Sequence, residues 1–119
     1  METERYIITL FGVNTKYYTV DFVAYLWDQI AQKEYEKSGI YITAILDVRS
    51  FVCGEVRGCV LGDDAHVITT VRNPSEASDS SIFFESFKNV VQEIREELGN
   101  PNMTMAIQTI DFYYFVQPI

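Results

Sequence analysis

The chain has 119 residues, of which 48% are hydrophobic and 14% aromatic, and this is enough apolar material for the core of one ordinary domain. Seventeen acidic against nine basic residues give a formal net charge of −8, and a surface of this sign repels phosphate backbones, which argues against direct nucleic-acid binding. The acidic start carries no signal-peptide pattern and no apolar segment approaches the length of a membrane span, so we expect a single cytoplasmic α+β domain over residues 1–119 that does not bind membranes.

The first two predicted elements are a strand and an amphipathic helix. Residues 6–13 are rich in β-branched and aromatic side chains on both faces, which is typical of a central strand. From about residue 20 to residue 38 the apolar side chains follow helical spacing instead, and Gly39 supplies the left-handed residue that ends such a helix. We expect Trp27, on the apolar stripe of this helix, to anchor the core rather than to serve as a ligand platform.

The middle of the chain predicts two further strands. Residues 40–49 alternate between apolar and mixed positions, and this period of two indicates a strand with one apolar face. Residues 51–61 can form a small extra hairpin that turns through Gly54. Residues 65–72 then form the next strand, and an Asn-Pro pair ends it.

A second helix and a closing strand complete the chain. Large apolar side chains recur at spacings of three and four after the polar loop at residues 75–81, and a Gly-Asn-Pro sequence at residues 99–101 ends this helix. The closing strand is expected over residues 103–116. The parity of its apolar positions changes near Gln108, so either a bulge there returns both halves to one face or the two halves pack on opposite sides of the sheet.

The order strand, helix, strand, strand, helix, strand predicts a ferredoxin-like α+β sandwich, with the extra hairpin between the middle strands. Right-handed crossovers place both helices on one face of an antiparallel sheet, with the first and third strands in the centre and the last at the edge beside the first. In that edge strand Phe112 and Tyr114 are expected to face the helix-covered core, and their neighbours Tyr113 and Phe115 to lie on the open face.

Two cysteines and the only histidine are the candidates for redox or metal chemistry. Cys53 and Cys59 lie six residues apart, so a hairpin could bring their thiols together as a redox pair or, with His66, as part of a metal site. A closed zinc site needs four ligands, usually in paired spacing, and one histidine does not complete it. In a reducing cytoplasm two free, partly buried thiols are the better interpretation, and we assign no metal and no cofactor.

Acidic residues set within apolar strands are the candidates for acid–base chemistry. Asp47 and Asp111 are such residues, and burial could raise the pKa of either carboxyl group so that it acts as a base. More often an acid in this setting points outward or pairs with a neighbour such as Arg49. His66 lies in an alternating strand without a nucleophile elbow nearby, which argues against a catalytic triad. We therefore assign no catalytic residue.

The preferred hypothesis is a small non-enzymatic protein that acts by association, as an adaptor, a regulator or an inhibitor of a larger protein. The open sheet face and the C-terminal edge strand would expose Ile45, Tyr113 and Phe115. Burial of these side chains against a second sheet predicts a homodimer, and burial against another protein predicts a complex.

The alternative hypothesis is a small-molecule-binding or catalytic module. Its pocket would lie between the sheet and the helices or at a dimer interface, and the polar groups in it would be Asp47, His66 and Asp111. Convergence of these three side chains in one pocket would favour this hypothesis, whereas three separate, solvent-facing positions would contradict it.

Overall fold

The chain forms strands and helices in the order that the sequence predicts. The computed structural model describes residues 1–59 and 63–118. Within them the elements are, in chain order, β1 (Glu2–Phe11), α1 (Val20–Ser38), β2 (Ile45–Ser50), β3 (Asp64–Val71), α2 (Ser80–Glu97) and β4 (Asn102–Asp111). The strands form one sheet in the order β2-β3-β1-β4, and each neighbouring pair is antiparallel. This confirms the ferredoxin-like α+β fold, with the first and third strands central and the last at the edge beside the first.

Capping chemistry explains why α1 begins and ends where the sequence predicts. The side-chain oxygen of Thr19 accepts a hydrogen bond of 3.2 Å from the backbone N–H of Phe22 at its start. At its end Gly39 adopts a φ of +76°, and its N–H closes the last turn. The indole N–H of Trp27 donates a hydrogen bond of 2.9 Å to the carbonyl of Ile42, and only 3% of Trp27 is exposed. Trp27 is therefore the core anchor that the sequence predicts.

The second strand begins later than expected. The alternating pattern predicts a strand from residue 40, but β2 begins at Ile45. Ile42 is fully buried, and its carbonyl accepts the hydrogen bond from Trp27 in place of a ladder hydrogen bond. Residues 40–44 therefore form a connection that is tied to α1, and this connection borders the candidate site.

The core lies between the two helices and one face of the sheet. Directly opposed residues of antiparallel strands share a face, and Ile8 of β1 lies opposite both Ile68 of β3 and Met105 of β4. The helix α2 covers this face with its apolar side, and the rings of Tyr6 and Phe87 lie 4.7 Å apart. Neither helix of the described residues is long and apolar enough to cross a membrane.

The last strand is regular and shorter than the sequence predicts. Its register with β1 runs without interruption from Glu2 opposite Asp111 to Phe11 opposite Asn102, so the bulge considered near Gln108 is not formed. The two halves instead place their apolar residues on opposite sides of the sheet, which is the other of the two expectations. The strand ends at Asp111 and does not continue to residue 116.

Residues 112–118 leave the sheet after a last hydrogen bond of 2.7 Å from the N–H of Phe112 to the carbonyl of Met1. The expectation that Phe112 and Tyr114 enter the helix-covered core is therefore wrong, because no strand alternation holds there. Tyr114 is 53% exposed and stacks on Phe112 with ring centroids 6.5 Å apart. Tyr113 and Phe115 are exposed as expected, although they lie beyond the sheet.

The connection after β2 corrects the expectation of two free thiols. Cys53 and Cys59 are joined by a disulfide, with their Cα atoms 5.5 Å apart. One turn of 3-10 helix at Glu55–Arg57 lies between them, flanked by Gly54 and Gly58 at positive φ, and folds the chain back on itself. Residues 51–59 contain no strand, so they do not form the expected hairpin, whose residues 60 and 61 lie outside the described part of the chain.

Candidate functional site

A cavity of about 720 Å³ opens at the end of the sheet where β2 begins and β3 ends. This volume suits a small organic ligand. Five separate segments supply its walls: the end of α1 with the connection to β2, the adjoining ends of β2 and β3, the loop between β3 and α2, the first turn of α2, and the C-terminal segment. The lining residues are Tyr35, Gly39, Ile40, Tyr41, Thr43, Ala44, Ile45, Thr69, Val71, Asn73, Glu76, Ala77, Phe83, Phe112 and Tyr114.

Two pairs of aromatic rings, from distant parts of the sequence, line this cavity. Tyr35 and Tyr41 make an edge contact with centroids 6.4 Å apart, and Phe112 and Tyr114 are stacked with only 13° between their planes. Aromatic faces bind planar rings by stacking and bind cations through their quadrupole. The cavity is therefore suited to a ligand that combines a flat ring with positive charge.

The polar groups of the cavity are few. Thr43, Thr69 and Asn73 contribute neutral hydrogen-bonding side chains, and Glu76 is the one ionised side chain among the described residues that line it. The side chain of Glu76 is exposed at the loop between β3 and α2. A single carboxylate beside aromatic rings favours a cationic ligand over an anionic one.

The hydroxyl of Tyr41 is committed to a neighbour outside the cavity. It donates a hydrogen bond of 2.8 Å to Oδ1 of Asp28 on α1. Burial raises the pKa of Tyr41 to about 12, and the hydrogen bond to Asp28 adds to this rise. Tyr41 is therefore neutral at physiological pH and offers its ring, and not a phenolate, to a ligand.

The acidic residues and the histidine that the sequence offers as pocket groups do not meet. Asp47 lies on the open face of β2, opposite Val67, and its carboxylate is 3.3 Å from the guanidinium of Arg49. Asp111 is exposed at the end of β4, on the far edge of the sheet from β2. His66 is fully buried on the helix-covered face. None of the three lines the cavity, because the strand register sends them to different faces and edges.

The buried histidine has a structural environment. Nε2 of His66 lies 2.8 Å from the carbonyl oxygen of Tyr18, which can only accept, so this nitrogen carries the proton. Burial lowers the pKa of His66, and the contact with Tyr18 opposes this in part. Cys53 and Cys59 are bonded to each other, so they are not free to ligate a metal together with His66.

The residues proposed for association are exposed, as that hypothesis requires. The exposed fractions are 67% for Ile45, 71% for Tyr113 and 87% for Phe115. Ile45 also borders the cavity, so its exposure belongs to the candidate site. Self-association through these side chains stays a prediction.

Most residues that line the cavity carry no signal in the sequence. The aromatic run near the C-terminus was the one signal that could have pointed to Phe112 and Tyr114. Glu76 lies in a polar loop and carries no sequence signal. The cavity gathers residues as far apart as Tyr35 and Tyr114, and no motif spans such a distance.

Comparison with known proteins gives a family for the chain. The model of the SAM lyase family matches residues 1–116. Among solved structures, a phage SAM lyase in its apo state has a TM-score of 0.58 at 16% identity, and the match covers 97% of this chain and 94% of that one. A phage SAM lyase in complex with S-methyl-5'-thioadenosine has a TM-score of 0.56 at 14% identity, covering 89% and 80%. No curated protein matches.

These findings overturn the preferred hypothesis from the sequence. A match to a lyase family over residues 1–116 indicates an enzyme, so the expectation of a non-enzymatic adaptor, regulator or inhibitor is wrong. The alternative of a small-molecule-binding or catalytic module is better supported, although its three proposed polar groups lie elsewhere. The solved structures, at 14% and 16% identity, show the shared fold.

Proposed function

Because the chain belongs to the SAM lyase family, we propose that it cleaves S-adenosylmethionine and releases S-methyl-5'-thioadenosine. A phage SAM lyase of the same fold that holds S-methyl-5'-thioadenosine supports this choice of product. The observation that carries the proposal is the aromatic cavity of about 720 Å³ with Glu76 as its one ionised side chain among the described lining residues. S-Adenosylmethionine combines a flat purine with a sulfonium cation, and the cavity offers a partner for each.

The stacked pair of the C-terminal segment is the proposed platform for the purine. Phe112 and Tyr114 present parallel rings, and Tyr114 remains half exposed, so a bound ring can cover it. The sulfonium and the amino group then lie toward Glu76 and the rings of Tyr35 and Tyr41. Such an arrangement attracts the cationic substrate, whereas the neutral thioether product keeps only the ring contacts.

The proposed reaction breaks the bond between the sulfonium sulfur and the γ-carbon of the methionyl chain. The bonding electron pair goes to sulfur, which leaves as the neutral thioether. The substrate's own carboxylate forms the new bond to the γ-carbon and closes a lactone, so neither water nor a protein nucleophile is consumed. Two opposite charges disappear in this step, and a largely apolar cavity favours such a loss of charge over bulk water. The route needs no protein base, which agrees with the raised pKa of Tyr41.

The test is product formation from S-adenosylmethionine, followed by liquid chromatography and mass spectrometry. We expect S-methyl-5'-thioadenosine to appear in step with substrate loss and without a methyl acceptor. Heat-denatured protein is the control for spontaneous breakdown of the sulfonium. A rate equal to this control would overturn the proposal. An unsaturated four-carbon amino acid as the second product would show that the reaction proceeds by proton abstraction and elimination and not by ring closure.

The compartment in which the enzyme works stays a prediction. The cytoplasm is the compartment that we expect from the sequence. The disulfide between Cys53 and Cys59 argues in the other direction, because cytosolic thiols are normally kept reduced. Thiol counting on protein isolated from its native host under acid quenching would decide between them.

A further inference from the structure

Arg72, the residue that follows β3, forms a partly buried ion pair with Glu4 of β1. Nε of Arg72 donates to Oε1 of Glu4 at 2.8 Å, and Nη2 donates to Oε2 at 2.9 Å, which is the bidentate geometry specific to arginine and a carboxylate. Only 6% of Arg72 is exposed. The hydrogen bonds from Arg72 hold the pKa of Glu4 below its usual range, although burial opposes this, so the pair is ionised at neutral pH.

The same guanidinium also holds the loop that follows β3. Its remaining nitrogen, Nη1, donates to the carbonyl of Ala77 at 2.9 Å and lies 3.4 Å from the carbonyl of Ser78. The backbone of Arg72 is fixed in turn, because its carbonyl accepts from the hydroxyl of Thr3 at 2.8 Å and its N–H donates to the carbonyl of Glu4 at 3.1 Å. One side chain therefore joins the loop to the central strand β1.

Hydrogen bonds within the loop hold its own shape. The carbonyl of Asn73 accepts from the N–H of Glu76 at 3.0 Å and from that of Ala77 at 2.9 Å, and its side-chain oxygen accepts from the N–H of Ser75 at 3.0 Å. These bonds fix the shape of the loop, so its position relative to the sheet depends on what holds its far end. Arg72 holds it by a hydrogen bond to the carbonyl of Ala77, beside the packing of Ala77 in the core and the cap that Asp79 forms on α2.

This loop forms one wall of the proposed substrate cavity. Asn73, Glu76 and Ala77 all line it, and Glu76 is the carboxylate to which we assign attraction of the sulfonium. Neither Arg72 nor Glu4 lines the cavity itself. A displacement of the loop would therefore reach the ligand through Asn73, Glu76 and Ala77.

We propose that the Glu4–Arg72 pair is the positioning device of the substrate site, which sets the loop wall at the distance that S-adenosylmethionine and S-methyl-5'-thioadenosine require. The inference rests on the proposed function of the cavity. Lysine at position 72 keeps the charge but cannot bind both carboxylate oxygens and the Ala77 carbonyl at once, so the loop loses its anchor. Glu4 and Arg72 act through the loop and do not touch substrate.

The test compares Arg72→Lys with a variant that destabilises the fold elsewhere. Val91→Ala removes two methyl groups from the buried side of α2 and leaves the cavity wall intact. Binding of S-methyl-5'-thioadenosine is measured by titration calorimetry, together with the melting temperature and the kinetics with S-adenosylmethionine. We expect Arg72→Lys to raise Kd and KM about tenfold with kcat within about threefold, because a small misplacement of a binding wall is costly. Val91→Ala lowers the melting temperature and leaves Kd unchanged.

Each outcome decides one of the two claims. Wild-type protein that binds no S-methyl-5'-thioadenosine and does not turn over S-adenosylmethionine contradicts the proposed function. If the wild type binds and folded Arg72→Lys binds with an unchanged Kd, the positioning role is contradicted. It is also contradicted if Val91→Ala loses affinity for S-methyl-5'-thioadenosine in proportion to its loss of stability. If Arg72→Lys does not fold, Glu4→Gln is used, since it keeps the side-chain shape and one acceptor; an unchanged KM in that variant equally contradicts the role.

Discussion

The hydroxyl of Tyr41 donates a hydrogen bond of 2.8 Å to Oδ1 of Asp28, and this contact fixes one aromatic wall of the cavity to α1. It also removes the phenol from consideration as a base, because the pKa of Tyr41 is raised to about 12. What remains for Tyr41 is the face of its ring.

Tyr41→Phe should therefore change binding little. The ring is kept and only the hydrogen bond to Asp28 is lost, so Kd for S-methyl-5'-thioadenosine should change by less than about threefold, whereas Tyr41→Ala should raise it about tenfold. Titration calorimetry measures both. An alkaline loss of activity below about pH 10 in wild type that Tyr41→Phe abolishes would contradict the neutral role of this phenol.

Glu76→Gln should separate the two ligands by charge. The carboxylate of Glu76 attracts the sulfonium of S-adenosylmethionine but gains little from the neutral thioether. Because an exposed charge pair is weak, we expect Glu76→Gln to raise KM for S-adenosylmethionine roughly two- to fivefold. Its Kd for S-methyl-5'-thioadenosine should stay unchanged. Glu85→Gln on α2 is the control, since Glu85 does not line the cavity. Equal losses for both ligands would show that Glu76 acts on the shape of the wall and not on charge.

Tyr114→Ala should raise the Kd for S-methyl-5'-thioadenosine about tenfold, because a stacked aromatic pair contributes on the order of 1 kcal/mol beyond the burial of area. The neighbouring Tyr113 provides a matched control, as it is equally aromatic, is more exposed and does not line the cavity. Calorimetry with S-methyl-5'-thioadenosine should find Tyr113→Ala close to wild type. A greater loss in Tyr113→Ala than in Tyr114→Ala would place the purine elsewhere.

His66 should make the fold sensitive to acid. Burial lowers its pKa in the folded state, so between the ordinary value of 6.5 and the lower folded value the unfolded chain binds more protons than the native one. Stability is therefore complete above pH 6.5 and falls as the pH drops below it, by at most about 1.4 kcal/mol per pH unit from this group. Urea unfolding at a series of pH values measures the slope of the unfolding free energy against pH, and His66→Gln should reduce this slope. An unchanged slope in His66→Gln would contradict this assignment.

Self-association can be tested independently of activity. Tyr113→Ser combined with Phe115→Ser removes two exposed aromatic side chains that contribute nothing to the core. If copies associate through this surface, sedimentation velocity should show a larger wild-type species and a smaller, still folded variant. A wild-type protein that sediments as a monomer at high concentration would contradict the prediction.

The parts of the fold that depend on local chemistry could be predicted from the sequence. Thr19 and Gly39 fix both ends of α1, and the order of the elements with right-handed crossovers predicts the strand order and the helix-covered face. Predictions that required knowledge of distant contacts were less successful. The strand expected from residue 40 begins at Ile45 because Ile42 is bound to Trp27, and only the assembled structure shows this contact.

The site could be predicted only in its chemical character. Aromatic composition near the C-terminus indicated a surface that needs a partner, but composition cannot distinguish a protein partner from a purine. Phe112 and Tyr114 were assigned to strand positions, and they line a cavity instead, because β4 ends at Asp111. Glu76 lies in the site on a loop that a hydrogen bond from Arg72 to the Ala77 carbonyl holds, and no sequence pattern indicates this bond.

The most direct test of the central claim is a crystal structure of the protein with S-methyl-5'-thioadenosine bound. We predict the purine against the rings of Phe112 and Tyr114, with the thioether sulfur toward Glu76 in the cavity at the start of β2. Ligand found instead in the groove between α1 and α2, which Lys33 and Glu93 border, would contradict the assignment of the site.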